Sequence, residues 1–252
     1  MVRIGLLGCG NVGRIIATHQ EGFEVVAVFD QMPDHAEALA QLTGAVPHSD
    51  FEAFLDADFS VCVEAASIAA VRAYALRIAE RGKEMVILSV GALADTAFRT
   101  HLVEVAREKR GRIHIPSGAV MGLDNLKIGQ ISSIESILLR TTKSPESLGM
   151  TVTTRTLAFR GKANECVKLF PKNINVSVAI ALAADHEVDV ELWADPEVDR
   201  NIHEILVKGE FGEAYTKITN LPSPDNPATS YLAALSVLSL LKNIHSPLVI
   251  GA

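Results

Sequence analysis

Cysteine is scarce in this chain: Cys9, Cys62 and Cys166 are scattered, odd in number and without metal-ligand spacing. That pattern argues against a disulfide framework or a bound metal, and it fits reduced thiols in a cytoplasmic protein. Cys9 reads as a small filler within a turn. Charge is not gathered into long runs of either sign, and the net charge is −7. Nucleic acid and anionic membrane are therefore poor candidates for the main partner. No segment approaches the roughly 18 uninterrupted apolar residues that span a bilayer. Repeats and low-complexity stretches are missing as well, and Arg3 is followed at once by a glycine turn rather than by a signal-peptide layout. What is present is 252 residues, 48% of them hydrophobic. This is enough for one large domain or two modest ones with a real core.

The most informative stretch is Ile4 to Gly13, a short apolar run leading into Gly8-x-Gly10-x-x-Gly13. In a strand–turn–helix setting, the first glycine permits the tight turn. The second lets backbone approach a pyrophosphate, and the third lets helix and strand pack closely. The following segment is amphipathic through Val12, Ile15 and Ile16, and a helix starting near Asn11 would aim its free N–H groups at phosphate. A second strand, Glu24–Phe29, ends at Asp30, 20 residues beyond Gly10. A carboxylate at that spacing is suited to the adenosine ribose hydroxyls. Gly8, Gly10, Asn11, Val12, Gly13 and Asp30 are thus the first candidate contacts to a dinucleotide. Gln31-Met32-Pro33 offers no arginine beside Asp30, which favours NAD, while Arg14 leaves use of NADP open.

Strand and helix patterns alternate through the first half. Apolar runs at Asp58–Glu64, Lys83–Ser89 and Arg112–Ile115 read as buried parallel strands, separated by helices over Ile68–Arg81 and up to about Arg110. Ligands of such sheets bind beyond the carboxyl ends of the strands. Ala65, Ala66, Ser67, Gly91, Ala92 and Ser117–Ala119 are therefore expected to line a cleft. After about Met121 the pattern changes to alternating segments at Ser136–Thr142, Val152–Phe159, Asp189–Ala194, His203–Lys208 and Ala214–Thr219, with one strong helix from about Asn173 to Ala184. A Pro-rich turn, Leu221–Pro227, leads to an apolar helix over Thr229–Leu241, which should be buried. It is expected either to cross back to the first domain or to lie at a subunit interface. The expected fold class is α/β. A dinucleotide-binding Rossmann domain (1–121 and 227–252) accompanies a smaller α+β domain with a mixed or antiparallel sheet (122–226), which carries substrate and dimer contacts.

Two stretches of the second half bear on chemistry. Asn173 either caps the strong helix or holds the nicotinamide carboxamide or ribose. Lys172 is either a solvated lysine or a cation for an acidic substrate. His203 opens an alternating strand after a turn, where a side chain can project into a cleft. Imidazole ordinarily titrates near neutrality, so it could move a proton during oxidation at carbon.

Six motifs taken together resemble the L-aspartate dehydrogenase family: Gly8-Cys-Gly-Asn-Val-Gly13, Ser89-Val-Gly-Ala92, Pro116-Ser-Gly-Ala119, Phe170-Pro-Lys-Asn-Ile-Asn175, Asn201-Ile-His203-Glu and Leu221-Pro-Ser-Pro-Asp-Asn-Pro227. The resemblance spans essentially the whole chain, and its last three motifs are the most specific. It implies NAD(P)-dependent oxidation of L-aspartate to iminoaspartate, which then yields oxaloacetate and ammonia or feeds NAD biosynthesis. It implies His203 as the catalytic residue, Ala119 and Asn173 as nucleotide contacts, and a homodimer. Ser117, Lys172, Asn226 and Thr229 are candidates for holding the two substrate carboxylates. The rival readings are another small two-domain reductase, of the dihydrodipicolinate reductase or homoserine dehydrogenase type, and a non-catalytic NAD-sensing protein. The first rival should share the front half and diverge over residues 170–230.

Overall fold

The computed structural model describes residues 1–170, 174–223, 226–244 and 246–248, with the side chains of residues 167, 168, 174 and 226–228 outside that description. The chain divides into two compact units, Met1–Pro116 with Ala233–Val249, and a second built on Ser117–Leu232. These divisions fall a few residues from the boundaries expected at 121/122 and 226/227.

The first unit alternates β1 (Val2–Leu7), α1 (Asn11–Thr18), β2 (Phe23–Phe29), α2 (Pro33–Thr43), β3 (Val46–His48), α3 (Phe51–Asp56), β4 (Val61–Glu64), α4 (Ile68–Glu80), β5 (Glu84–Ile87), α5 (Thr96–Glu108) and β6 (Ile113–His114). All the strand pairs are parallel and the order is β3-β2-β1-β4-β5-β6. This is the doubly wound order whose reversal between β1 and β4 opens a crevice at the strands' carboxyl ends. The apolar runs have the expected cause: Ile4, Leu6, Val28, Val61, Val63 and Val86 are fully buried, as strands covered on both faces must be. Local signals set several helix ends. Pro33 stands at the start of α2, and Gly44 closes it in the left-handed region, at φ 76°. Asp50 caps α3 by accepting from Ala53 N, and Asp95 caps α5 by accepting from Phe98 N.

The second unit holds α6 (Leu123–Leu126), β7 (Ile134–Lys143), β8 (Thr156–Lys162), α7 (Ala163–Leu169), α8 (Ile174–Ala184), β9 (Asp189–Ala194), β10 (Ile202–Gly209), β11 (Gly212–Thr219), β12 (Pro222–Ser223) and β13 (Asn226–Ser230). Its larger sheet has the order β11-β10-β7-β9-β8. The β7–β9 pair is parallel and the others are antiparallel, so the sheet is mixed. On one face Ile137, Leu139, Thr141, Val190, Leu192, His203, Ile205 and Val207 are buried, which is the alternation of a half-covered sheet. Burying six aliphatic side chains at ~1.5–3 kcal/mol each gives this face enough driving force to carry two polar residues, provided those are hydrogen-bonded.

Three expectations need correction. The segment expected as a strand from Val152 begins at Thr156, because pairing to β9 runs only from Thr156 to Lys162. Helix α7 was not expected, since the periodicity of its few residues is too short to read. The last helix, α9 (Tyr231–Asn243), starts two residues later than Thr229. Ser230 is instead held in β13 opposite Pro222, and its hydroxyl donates to Asn220. The C-terminal helix does return to the first unit, where Val237 and Leu241 join the core around Ile4, Ile16 and Val25.

Candidate active site

In the first unit, β1 runs into the glycine turn and the glycines carry distinct constraints. Gly8 has φ +103°, and a Cβ there would lie 2.7 Å from Ala66 N. A Cβ on Gly13 would strike the Gly8 carbonyl oxygen, whereas at Gly10 it would meet nothing within 4 Å. The turn is therefore closed on the protein side and open at Gly10, the position where backbone must face a phosphate. Helix α1 opens at Asn11 and Val12 with no acidic residue in its first turn and no side chain capping it from Gly10, leaving its positive end available to an anion.

Asp30 is tied to the same turn. Its carboxylate accepts from Cys9 N at 2.7 Å and from Met32 N at 2.9 Å. The acid that sequence spacing assigns to a ribose is thus held by backbone of the glycine turn itself. Gly8, Gly10, Asp30, Ala65, Ala66 and Ser67 all line one cavity of about 190 Å³. Ser67 also caps α4, accepting from Ala70 N at 3.1 Å. These features fit a dinucleotide. Gly91 and Ala92 do not line this cavity: both are buried in a short 3-10 turn, Val90–Ala94. Cys9 is buried beside Asp30, and both effects push its thiol up to about 12, so it is an inert filler.

At the carboxyl ends of β4 and β5 lies a residue that sequence reading passed over. Glu64 is buried and accepts four hydrogen bonds: from Ala66 N (2.9 Å), Leu88 N (3.2 Å), Ser89 N (2.9 Å) and Ser89 Oγ (2.8 Å). Desolvation raises its pKa against the opposing pull of these donors. The available signal was a lone acid ending an otherwise apolar strand.

In the second unit, His203 is the second residue of β10 and is 6% exposed. Its Nδ1 is 3.0 Å from Thr141 Oγ1 on the paired strand β7. The hydroxyl satisfies either ring tautomer, leaving Nε2 as the second nitrogen. Burial lowers the imidazole pKa to about 3, with the Lys143 ammonium adding to the shift. The ring is therefore neutral at physiological pH, unlike the near-neutral titration expected from sequence.

Asn220 ties two of the sequence motifs together and adjoins a third. It is buried, its backbone N donates to Asn201 O at 2.8 Å and its Nδ2 donates to Ala119 O at 3.0 Å. Its Oδ1 accepts from Ser230 Oγ at 2.6 Å. Ala119 and β13 are thereby fixed to one side chain and the entry to β10 to its backbone, which explains why motifs about 100 residues apart belong together. Its position next to Leu221-Pro-Ser-Pro was the signal that could have revealed it.

Thr229 and Asn201 line a cavity of about 530 Å³ together with Arg200, Asn220 and Ser230, but Glu146 and Asp199 line it too. One guanidinium set against two carboxylates gives no positive excess for a dianion. Ser117 is half-buried near the start of this unit. Lys172 and Asn173 lie outside the described residues, as does the side chain of Asn226. Among the described residues no cluster of His, Cys, Asp and Glu could hold a metal, and no helix is long and apolar enough to cross a membrane.

A family model described as homoserine dehydrogenase, NAD binding domain, matches residues 5–116, and one described as aspartate dehydrogenase, C-terminal, matches residues 124–244. The L-aspartate dehydrogenase of Methanospirillum hungatei is 72% identical over the full length of both chains. That of Methanothermobacter thermautotrophicus is 42% identical, covering 100% of this chain and 99% of its own. The crystal structure of aspartate dehydrogenase from Thermotoga maritima matches with a TM-score of 0.85 at 31% identity, covering all of both chains. The front half alone would leave homoserine dehydrogenase as a rival, but the second half and the full-length relatives decide the matter: the chain belongs to the L-aspartate dehydrogenase family.

Proposed function

We propose that this protein is an NAD-dependent L-aspartate dehydrogenase, oxidising L-aspartate to iminoaspartate, which hydrolyses to oxaloacetate and ammonia or feeds NAD biosynthesis. The observation that carries the proposal is His203: the position implied as catalytic holds a buried, neutral imidazole oriented by Thr141. A sensing protein would have no need of an oriented base in that position. NADH formation from NAD and L-aspartate tests the reading.

The cofactor, when bound, supplies the hydride acceptor. The residues that would hold it are Gly8, Gly10, Asn11, Val12 and Gly13 at the pyrophosphate, Asp30 at the adenosine ribose, Ala65, Ala66 and Ser67 along the crevice, and Ala119 and Asn173 as the family's nucleotide contacts. Gly91 and Ala92 act behind that surface rather than on it, given their burial. Asp30 would repel a 2′-phosphate, so NAD is the preferred form.

Oxidation at Cα requires the substrate amine to be neutral. His203 serves either by taking that amine proton or by activating the water that hydrolyses the imine. An imidazole with a pKa near 3 is a weak base, and an incoming dicarboxylate would raise it toward the working range by placing negative charge beside the cationic form. Lys172 is the cation among the candidate carboxylate donors, with Ser117, Asn226 and Thr229 offering neutral ones.

The family resemblance supports a homodimer, for which light scattering should give twice 27.0 kDa. The three free, buried thiols fit a reducing compartment such as the cytoplasm.

A further inference from the structure

The geometry points to Glu64 as a positioning residue for the nicotinamide half of the dinucleotide; this rests on the NAD-dependent reading above. The orientation of the cofactor follows from the sheet. Asp30 follows β2, on one side of β1, and marks the adenosine side. The glycine turn after β1 takes the pyrophosphate. A dinucleotide laid across the switch point between β1 and β4 must therefore place its other half beyond β4 and β5.

The backbone there is fixed by one carboxylate. Glu64 Oε1 accepts from Ala66 N and from the Ser89 hydroxyl, while Oε2 accepts from Leu88 N and Ser89 N. Three of these donors follow β5 and one follows β4, so a single side chain couples the loops at the ends of two adjacent strands. Without it, three partly buried backbone N–H groups would lose this acceptor, a loss that shifts loops rather than leaving them in place. Ala66, one of the residues so held, lines the cavity beside Gly8 and Gly10. The Glu64 carboxylate itself is buried and need not touch the ligand. Its effect on the nicotinamide half passes through Leu88 and Ser89, the residues after β5.

The test is a binding titration on the whole protein with two ligands. NADH carries both halves, and ADP-ribose lacks the nicotinamide. Glu64→Gln keeps the side chain's size and an oxygen for Ala66 N, but turns an NH₂ toward Leu88 N and Ser89 N. It should raise the NADH Kd at least tenfold and leave the ADP-ribose Kd within about twofold. Ser89→Ala, which removes one donor and leaves the carboxylate, should give the same pattern at about threefold and serves if the glutamine variant does not fold. Equal losses for both ligands would reduce Glu64 to general stability and overturn the proposal, as would unchanged NADH affinity. Failure of the unmutated protein to bind NADH would instead overturn the underlying NAD assignment.

Discussion

Thr141 Oγ1 lies 3.0 Å from His203 Nδ1, joining neighbouring strands through two buried polar side chains set among Leu139, Leu192 and Ile205. A buried imidazole needs that partner, because burying an unpaired polar ring nitrogen costs ~1–3 kcal/mol. Thr141→Val keeps the shape and removes the hydroxyl. The ring then loses its orientation, and kcat should fall by about 5- to 150-fold, the same ~1–3 kcal/mol expressed as a rate. Steady-state kinetics on purified protein check this, with an unchanged NADH Kd as the control.

Removing the ring itself should cost more. His203→Ala is expected to lower kcat by about 10²–10⁴ while NADH still binds. Turnover within a few-fold of the unmutated protein would take His203 out of the chemistry.

Acid sensitivity follows from the same burial. The unfolded imidazole takes up a proton near its ordinary value of 6.5, and the folded one only near 3. Between those values the unfolded state binds more protons, so this contribution to stability is fully present above about 6.5 and lost as pH falls toward 3. Its size is on the order of a few kcal/mol. His203→Gln should therefore show a flatter dependence of Tm on pH across that window than the unmutated protein, by thermal melts at constant ionic strength. An NMR titration should find the His203 ring neutral throughout pH 5–8.

The glycine turn yields a contrast between two alanine substitutions. A methyl at Gly13 collides with the Gly8 carbonyl, so Gly13→Ala should lower Tm. A methyl at Gly10 meets no protein atom, so Gly10→Ala should leave Tm unchanged and weaken NADH binding about tenfold or more by obstructing the phosphate. Calorimetry and fluorescence titration separate the two effects.

Asp30 should govern the choice of cofactor. Asp30→Ser removes the carboxylate that disfavours a 2′-phosphate and also weakens the hold on Cys9 N. The ratio of KM values for NADP and NAD should narrow by about 10- to 100-fold, in line with the ~1.5–3 kcal/mol of a hydrogen bond to a charged group.

The parts legible from sequence are those set by local chemistry. The glycines, Asp30 and the buried parallel strands depend on neighbours within about 20 residues, and the alternation of β9, β10 and β11 is visible in the order of their residues. Register was not legible. Nothing near Thr141 says that it will stand beside His203, 62 residues away. Glu64 reads as the end of an apolar strand because three of its four donors come from the residues after β5. Asn220 lay beside a motif without belonging to one, and its partners at Ala119 and Ser230 exist only once the unit has folded. The start of α9 was misplaced for the same kind of reason, since pairing of Ser230 with Pro222 overrides the apolar pattern that follows.

The central claim is the substrate. NADH absorbance should be followed after mixing the purified protein with NAD and L-aspartate, with D-aspartate, glutamate, homoserine and malate as controls. The account predicts NADH formation with L-aspartate, dependent on His203, and little or none with the others. NADH binding without turnover of any of them, or turnover of homoserine in preference to L-aspartate, would contradict it.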